Sequence, residues 1–278
     1  MKSGFGSALS EWRAVRRLSQ LDLALLAGIS QRHISFVESG RAQPSRDMIF
    51  RLADGLDLPL RARNELMLAA GYAATYPEHR LDLSQMKAAR EALEMILAHH
   101  EPYPAVVMDG SWNIVMQNQA VARIVAYCVG TDALRTLFPD GVVNFMELMF
   151  ASDGLRPHVL NWTHSRTALL RRLRREAAGH SKSPSEILRR RFDRDALPAV
   201  ETAVQSDHLD PMLALELNVG GARLCLFNTF TTFGTPQDVS LQELRIDMSF
   251  PADEATRRFL DAAARNGIEG ALNQPQLA

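Results

Sequence analysis

The sequence predicts two domains of different class: an all-α, five-helix head, then an α+β domain built on an antiparallel sheet. Three observations predict this. A chain of 278 residues is long for one hydrophobic core. Up to residue 72, apolar residues recur at helical spacing between capping residues and glycines. Beyond Tyr103, short β-rich runs alternate with helical ones, and Gly220-Gly221 separates two of the β-rich runs. The expected boundaries are 1–72 for the head, 73–101 for a linker and connecting helix, and 102–270 for the second domain.

The elements follow in order. "SALSEWRAVRRL" sets Leu9, Trp12 and Val15 on one helical face. Ser19 can cap a second helix, "QLDLALLA", that ends at Gly28. Ser30 can cap a third, Gln31 to Ser39, stopped by Gly40. Ser45 can cap a fourth, with Met48, Ile49, Leu52 and Ala53 inward. A fifth starts after Pro59 and ends at Gly71. "LSQMKAAREALEMILAHH" reads as a connecting helix lined by Met86, Leu93, Ile96 and Leu97. "PAVVMD" and "WNIVMQN" read as a hairpin. "QAVARIVAYCV", "VNFMELMFA" and "HVLNWTHSRTALLRRLRREAAG" read as helices. "MLALELNV" and "ARLCLFNTFTTF" flank the glycine pair, which accepts the positive φ of a tight turn. "LQELRIDMSF" gives a further strand, and "ADEATRRFLDAAARN" a final helix.

Composition narrows the function classes. No apolar stretch approaches ~18 residues without a charge, so no membrane span is expected. The first residues carry no apolar core of signal-peptide length, so a cytoplasmic protein is expected. Cys128 and Cys225 match no metal-ligand spacing and read as free thiols. Residues 1–80 hold 11 Lys and Arg against 8 Asp and Glu, whereas the remainder holds 20 against 24. A basic head on an acidic body suits a nucleic-acid contact at one end. His99, His100, His158 and His164 have no metal-ligand spacing, and neither a phosphate loop nor a nucleophile elbow is present. Neither a catalytic site, a metal nor a cofactor is therefore expected.

The third helix carries the sharpest signal. At ~100° per residue, Ile34 and Val37 fall together and point inward. Gln31, Arg32, Ser35, Phe36 and Ser39 spread over the outer face, and "GIS" is a tight turn from the preceding helix. Two short helices joined this way form a helix-turn-helix pattern, whose second helix fits the major groove. In that groove amide and guanidinium groups can hydrogen-bond base edges, and an ordinary helical hairpin with a solvated face fits the same pattern.

The residues "LSQ", "LA", "GIS", "IS", "ESGR" and "PS" within residues 7–70 resemble the Cro/λ-repressor-like, or xenobiotic-response-element-type, helix-turn-helix family. That resemblance implies a phosphate grip by Gln20 at its helix start, base reading by Gln31, Arg32, Ser35 and Phe36 from a helix begun at Ser30, and Arg41 and Ser45 near the DNA backbone. It also implies a structural ion pair between Arg13 and Glu38. Double-stranded DNA with a near-palindromic operator, bound by a homodimer, is the expected partner.

The remainder carries a second resemblance. "HEPYPAVVMDGSWNIVMQNQAV", "LNWTHSRTALLRRLRREAAG" and "FTTFGTPQDV" are similar to the C-terminal domain of MmyB-like transcription regulators. This implies a PAS-like sensor for a small apolar or fatty-acid-like ligand. Met- and Phe-rich sets can line an adaptable apolar cavity or simply fill a core. The candidates are Trp112, Asn118, Phe145, Met146, Met149, Phe150, His158, Trp162, Phe227 and Phe230, with Asn118 and His158 as head-group contacts. Arg171, Arg172, Arg174, Arg175 and Arg189 to Arg191 read either as a basic patch or as a face paired with Glu176 and Glu186. The expected activity is ligand-responsive transcription regulation. A helical protein-interaction module on a constitutive dimerisation domain is the alternative.

Overall fold

The computed structural model describes residues 4–177, 183–193 and 214–273. These fall into two compact units. The first runs to Leu83 and also takes in Gly234–Gln242, while the second takes Ser84–Phe233 and the chain from Glu243 onward.

The first unit is helical: α1 (Gly4–Val15), α2 (Gln20–Ala27), α3 (Gln31–Glu38), α4 (Arg46–Gly55) and α5 (Leu60–Ala69). Serine hydroxyls start three of these helices by accepting from the backbone three residues on: Ser19 from Asp22, Ser30 from His33, Ser45 from Met48. Asp22 returns a bond from the Ser19 N–H, closing a capping box at α2. Gly28 stops α2 in the left-handed conformation at φ 62°. Leu9, Leu23, Ile34, Val37, Leu52 and Leu66 form one fully buried core, each such side chain contributing about 1.5–3 kcal/mol by its removal from water. Helix α1 approaches α3 so closely that a Cβ on Gly6 would sit 2.4 Å from the Glu38 carbonyl oxygen.

The Gly234–Gln242 segment belongs to this unit by its contacts. The Val239 N–H donates to the Pro77 carbonyl, and Asp238 Oδ2 accepts from the His79 backbone and lies 2.8 Å from His79 Nδ1. Gln242 Oε1 accepts from the Leu60 N–H at 2.6 Å. Helix α5 follows Pro59, which offers no side-chain cap, so Gln242 fills that role from 182 residues away.

The second unit holds α6 (Lys87–His99), β1 (Ala105–Met108), β2 (Ile114–Gln117), α7 (Gln119–Cys128), α8 (Thr131–Leu137), α9 (Phe145–Phe150), α10 (Trp162–Ala177), α11 (Pro184–Asp193), β3 (Leu215–Val219) and β4 (Ala222–Thr231). After α12 (Val239–Glu243) come β5 (Arg245–Pro251) and α13 (Glu254–Leu272). The five strands form one antiparallel sheet in the order β2-β1-β5-β4-β3. Gly220 and Gly221, both at positive φ, make the β3–β4 turn.

Two elements depart from expectation. "LQEL" is not strand: Val239–Glu243 is helical, and β5 begins at Arg245. Helix α8 is a short addition whose Leu134 and Leu137 pack partly buried against the core, with none of its residues fully buried. Pairing register fixes which side chains share a face. Val106, Asp247 and Phe230 stand in one row, and Ser249 pairs with Asn228. On this face Val106, Leu217, Leu224 and Leu226 join Ile124, Met146, Met149, Leu170 and Leu260 in one core.

Candidate DNA-reading face and ligand cavity

Helix α3 divides as its sequence pattern requires. Ile34, Val37 and Glu38 are buried, whereas Gln31, Arg32, His33 and Ser39 are exposed and Ser35 and Phe36 lie at the margin. The guanidinium groups of Arg32 and Arg41 lie 5.2 and 6.0 Å from the Phe36 ring centroid. Phe36 therefore sets the position of two cations as well as offering its own ring. Ser30 and Ser45 are exposed caps, each with its oxygen engaged by its own helix. The first turn of α4 beside Ser45 carries the exposed Arg46 and the exposed Asp47, one charge of each sign.

Glu38 is 6% exposed and holds three donors. Arg13 Nε donates to Oε1 at 2.8 Å, Arg13 Nη2 to Oε2 at 3.1 Å, and Gln20 Nε2 to Oε2 at 2.7 Å. The third bond gives Gln20, expected at a phosphate, a structural partner: one of its two side-chain amide N–H groups donates to Glu38. Arg51, which the sequence did not single out, donates from Nε to the Ala27 carbonyl and from Nη2 to Gly28. It clamps the turn between α2 and α3, which fixes the angle at which α3 is presented.

In the second unit, a cavity of about 80 Å³ lies between the sheet, α7, α9 and Leu155. Of the ten expected ligand contacts, it brings together Phe145 and Met149. The rest of its wall is mainly aliphatic, with Ile124, Leu148, Leu217 and Leu226 prominent. Three polar side chains interrupt it: Asn228, Asp247 and Ser249. Asn228 Nδ2 donates to Asp247 Oδ1 at 2.7 Å and to Ser249 Oγ at 3.1 Å. Burial pushes the Asp247 carboxyl up to about 6, against the smaller opposing pulls of the Asn228 bond and the Arg172 charge.

The other expected contacts lie elsewhere, for identifiable reasons. Asn118 caps α7 and ties β1 in place, accepting from the Ala105 N–H and donating to the Tyr103 carbonyl. Trp112 is fully buried and donates to Ser185 Oγ at 3.3 Å. Ser185 donates in turn to Glu176, which also accepts from Arg172 and Arg245. The Arg172 guanidinium lies 3.4 Å from the Phe230 centroid, so Phe230 also belongs to this polar and aromatic cluster. Met146 is core. Phe150 packs on Trp162 and Phe192, and Phe227 stacks on Phe250. His158 sits in a 3-10 turn, outside the cavity wall. The arginine runs are largely paired: Arg189 and Arg190 with Glu186, Arg174 with Asp193, and Arg191 with Glu147.

A five-helix unit with a polar outer face on α3, and a sheet unit with an apolar cavity, define a helix-turn-helix DNA-binding transcription regulator with a ligand-binding-type domain. Comparison with known proteins agrees. Residues 89–263 match the MmyB-like transcription regulator ligand binding domain, and residues 9–62 match the helix-turn-helix family. The chain belongs to the MmyB-like transcription regulators. Over 117 residues it is 34% identical to an uncharacterized HTH-type transcriptional regulator, RghRB, of Bacillus subtilis (strain 168), covering 42% of this chain and 76% of that protein. The crystal structure of the restriction-modification controller protein C.AhdI from Aeromonas hydrophila is 36% identical, covers 22% of this chain and 92% of its own, and superposes with a TM-score of 0.21.

Proposed function

We propose that this regulator binds a near-palindromic operator as a homodimer, and that a small apolar ligand in the second unit alters that binding. The observation that carries the reading is the division of α3, whose buried side is fully committed while Gln31, Arg32, Ser35 and Phe36 remain available to base edges. A single head with a small positive surplus makes few phosphate contacts, and pairing two heads supplies the rest.

The connecting helix is one route from ligand to head. The Gly234–Gln242 segment supports a second. Strand β4 ends at Thr231 and β5 begins at Arg245, and both strands furnish the cavity wall. The chain between them carries Asp238, Val239 and Gln242, which hold His79, Pro77 and the start of α5. A shift of β4 against β5 is thus felt at the helical unit through covalent chain. Coupling of this kind is typically worth ~1–3 kcal/mol.

Native mass spectrometry of the purified protein tests the dimer and detects a co-purified ligand. Fluorescence anisotropy on a selected operator, before and after stripping that ligand, tests the switch. Unchanged affinity would remove ligand control and leave DNA binding intact.

A further inference from the structure

The turn that leads into α3 is braced from the side by α4. Arg51 Nε donates to the Ala27 carbonyl at 2.9 Å, and Arg51 Nη2 donates to the Gly28 carbonyl. These oxygens lie at the C-terminal end of α2, where carbonyls lack helical partners and carry the negative end of the helix dipole. The Gly28 N–H donates back to Ala24 and Leu25, and the Ile29 N–H to Ala24, so the turn itself is tightly wound. Gly28 has φ 62°, and a Cβ there would sit 2.8 Å from Arg51 Nη2. This glycine therefore makes the turn and leaves room for the guanidinium. One helical turn along α4, Gly55 meets the same residue: a Cβ at Gly55 would lie 3.3 Å from the Ala27 nitrogen. Arg51 and Gly55 thus brace the turn from one face of α4. Ser30, the cap of α3, follows at once, so a movement of the turn passes directly to Gln31 and Arg32.

This rests on the base-reading role proposed for α3 and deepens it. We propose that Arg51 is a positioning residue for sequence discrimination, acting through the α2–α3 turn to hold the angle at which Gln31 and Arg32 meet base edges. Hydrogen bonds to base edges depend steeply on direction, whereas attraction to phosphates survives a small rotation. Loosening the turn therefore costs discrimination before it costs general affinity for DNA. Arg51 is exposed, and an exposed cation in a DNA-binding head has a rival use, direct contact with a phosphate. Lysine separates the two roles. It keeps the charge that a phosphate needs, but it lacks the planar fork that bridges two carbonyl oxygens.

The test compares full-length wild type, Arg51→Lys and Arg51→Ala on two duplexes, an operator that wild type enriches from a random-sequence pool and its scrambled counterpart. Anisotropy titrations across a salt series give each affinity, and stoichiometric titration corrects for the fraction of folded protein. The operator-to-scrambled ratio should fall about tenfold in Arg51→Ala, and less in Arg51→Lys, which can still hold one carbonyl. Affinity for the scrambled duplex and the salt slope should stay at wild-type values in both. A phosphate contact gives another pattern: Arg51→Lys matches wild type, while Arg51→Ala weakens both duplexes equally and lowers the salt slope by about 1. That pattern overturns the proposal. An unchanged ratio accompanied by a lower unfolding temperature also overturns it, because lost folded protein lowers both affinities alike. If wild type enriches no sequence, base reading by α3 falls and the positioning role falls with it. Should Arg51→Ala fail to fold, the ratio in Arg51→Lys decides the matter unaided.

Discussion

Glu38 in the helical unit and Asp247 in the sheet unit are both buried carboxylates, and the two are held in opposite ways. Glu38 in the helical unit has a bidentate arginine and a glutamine amide, three donors for one carboxylate. Among the described residues, Asp247 in the sheet unit has one amide donor, and it borders a cavity. Burial costs both groups their hydration, and the difference lies in what replaces it. Where protein donors saturate the charge, the carboxylate fixes architecture. Where they do not, the carboxylate keeps acceptor capacity unused.

The sharpest way to break this comparison is to unsaturate Glu38. Arg13→Ala strands a buried carboxylate with Gln20 as its remaining side-chain donor. It should destabilise the helical unit by about 3–5 kcal/mol, the cost of leaving one partner of a buried pair. The lower end is expected because Arg13 is partly solvated. Urea unfolding of the full chain measures it, and a loss below ~1 kcal/mol would mean that Glu38 rehydrates and the pair is ornamental.

Asp247 should show the reverse sign. Its carboxyl is raised from 3.8 to about 6 in the folded state. The folded chain thus holds this proton more tightly than the unfolded one. The stability it contributes is full below pH ~4 and is lost as pH rises through about 6. Asp247→Asn, neutral at every pH, should be more stable than wild type by about 2–3 kcal/mol at pH 8 and equal to it near pH 3.5. Thermal unfolding across that range checks it. A difference independent of pH would show that Asp247 is not the titrating group.

The same contrast explains what could be read in advance. The helical unit was legible because its signals are local: Ser19, Ser30 and Ser45 cap helices whose apolar spacing follows at once, and Gly28 closes a turn. The Arg13 partner of Glu38 came with the family resemblance, whereas the Gln20 bond spans 18 residues and leaves no local mark. The cavity was harder still. Leu148, Leu155, Leu215 and Leu217 look like any core residue in sequence, while among the conspicuous aromatics Phe150 packs on Trp162 and Trp112 stacks on Phe145. In "RIDMSF" the apolar alternation favours Ile246, Met248 and Phe250 as the inward set. Both faces of β5 are covered, however, and the polar set Arg245, Asp247 and Ser249 lies on the helix-packed face. Asn118 reads as a functional polar residue until its cap and its bonds to Tyr103 and Ala105 are seen.

On the DNA side, a saturated Glu38 means that the α3 outer face can be changed without disturbing its support. Arg32→Ala should leave the unfolding midpoint within error and weaken operator binding by about 1–3 kcal/mol, the worth of one bidentate base contact. Anisotropy titrations at fixed salt against operator and scrambled duplex separate the two effects. Equal weakening on both duplexes would make Arg32 a phosphate contact instead of a base reader.

The smallest expected change probes whether the two carboxylates communicate at all. Gln242 caps α5 from the chain that joins β4 to β5, so it belongs to the helical unit by contact and to the Asp247 strand by sequence. Gln242→Ala removes one neutral cap and should cost about 1 kcal/mol of stability. Its informative effect is on linkage. If the segment transmits cavity occupancy, the variant should bind operator about as well as wild type while its affinity no longer changes when ligand is added. Retention of the full ligand response would assign the coupling to the connecting helix α6 alone. A parallel Asp238→Asn variant discriminates further, because it weakens the contact with His79 and spares the α5 cap. Loss of the response in Gln242→Ala but not in Asp238→Asn would locate the transmission at the start of α5, the helix packed on α1 and α4 beneath the reading head.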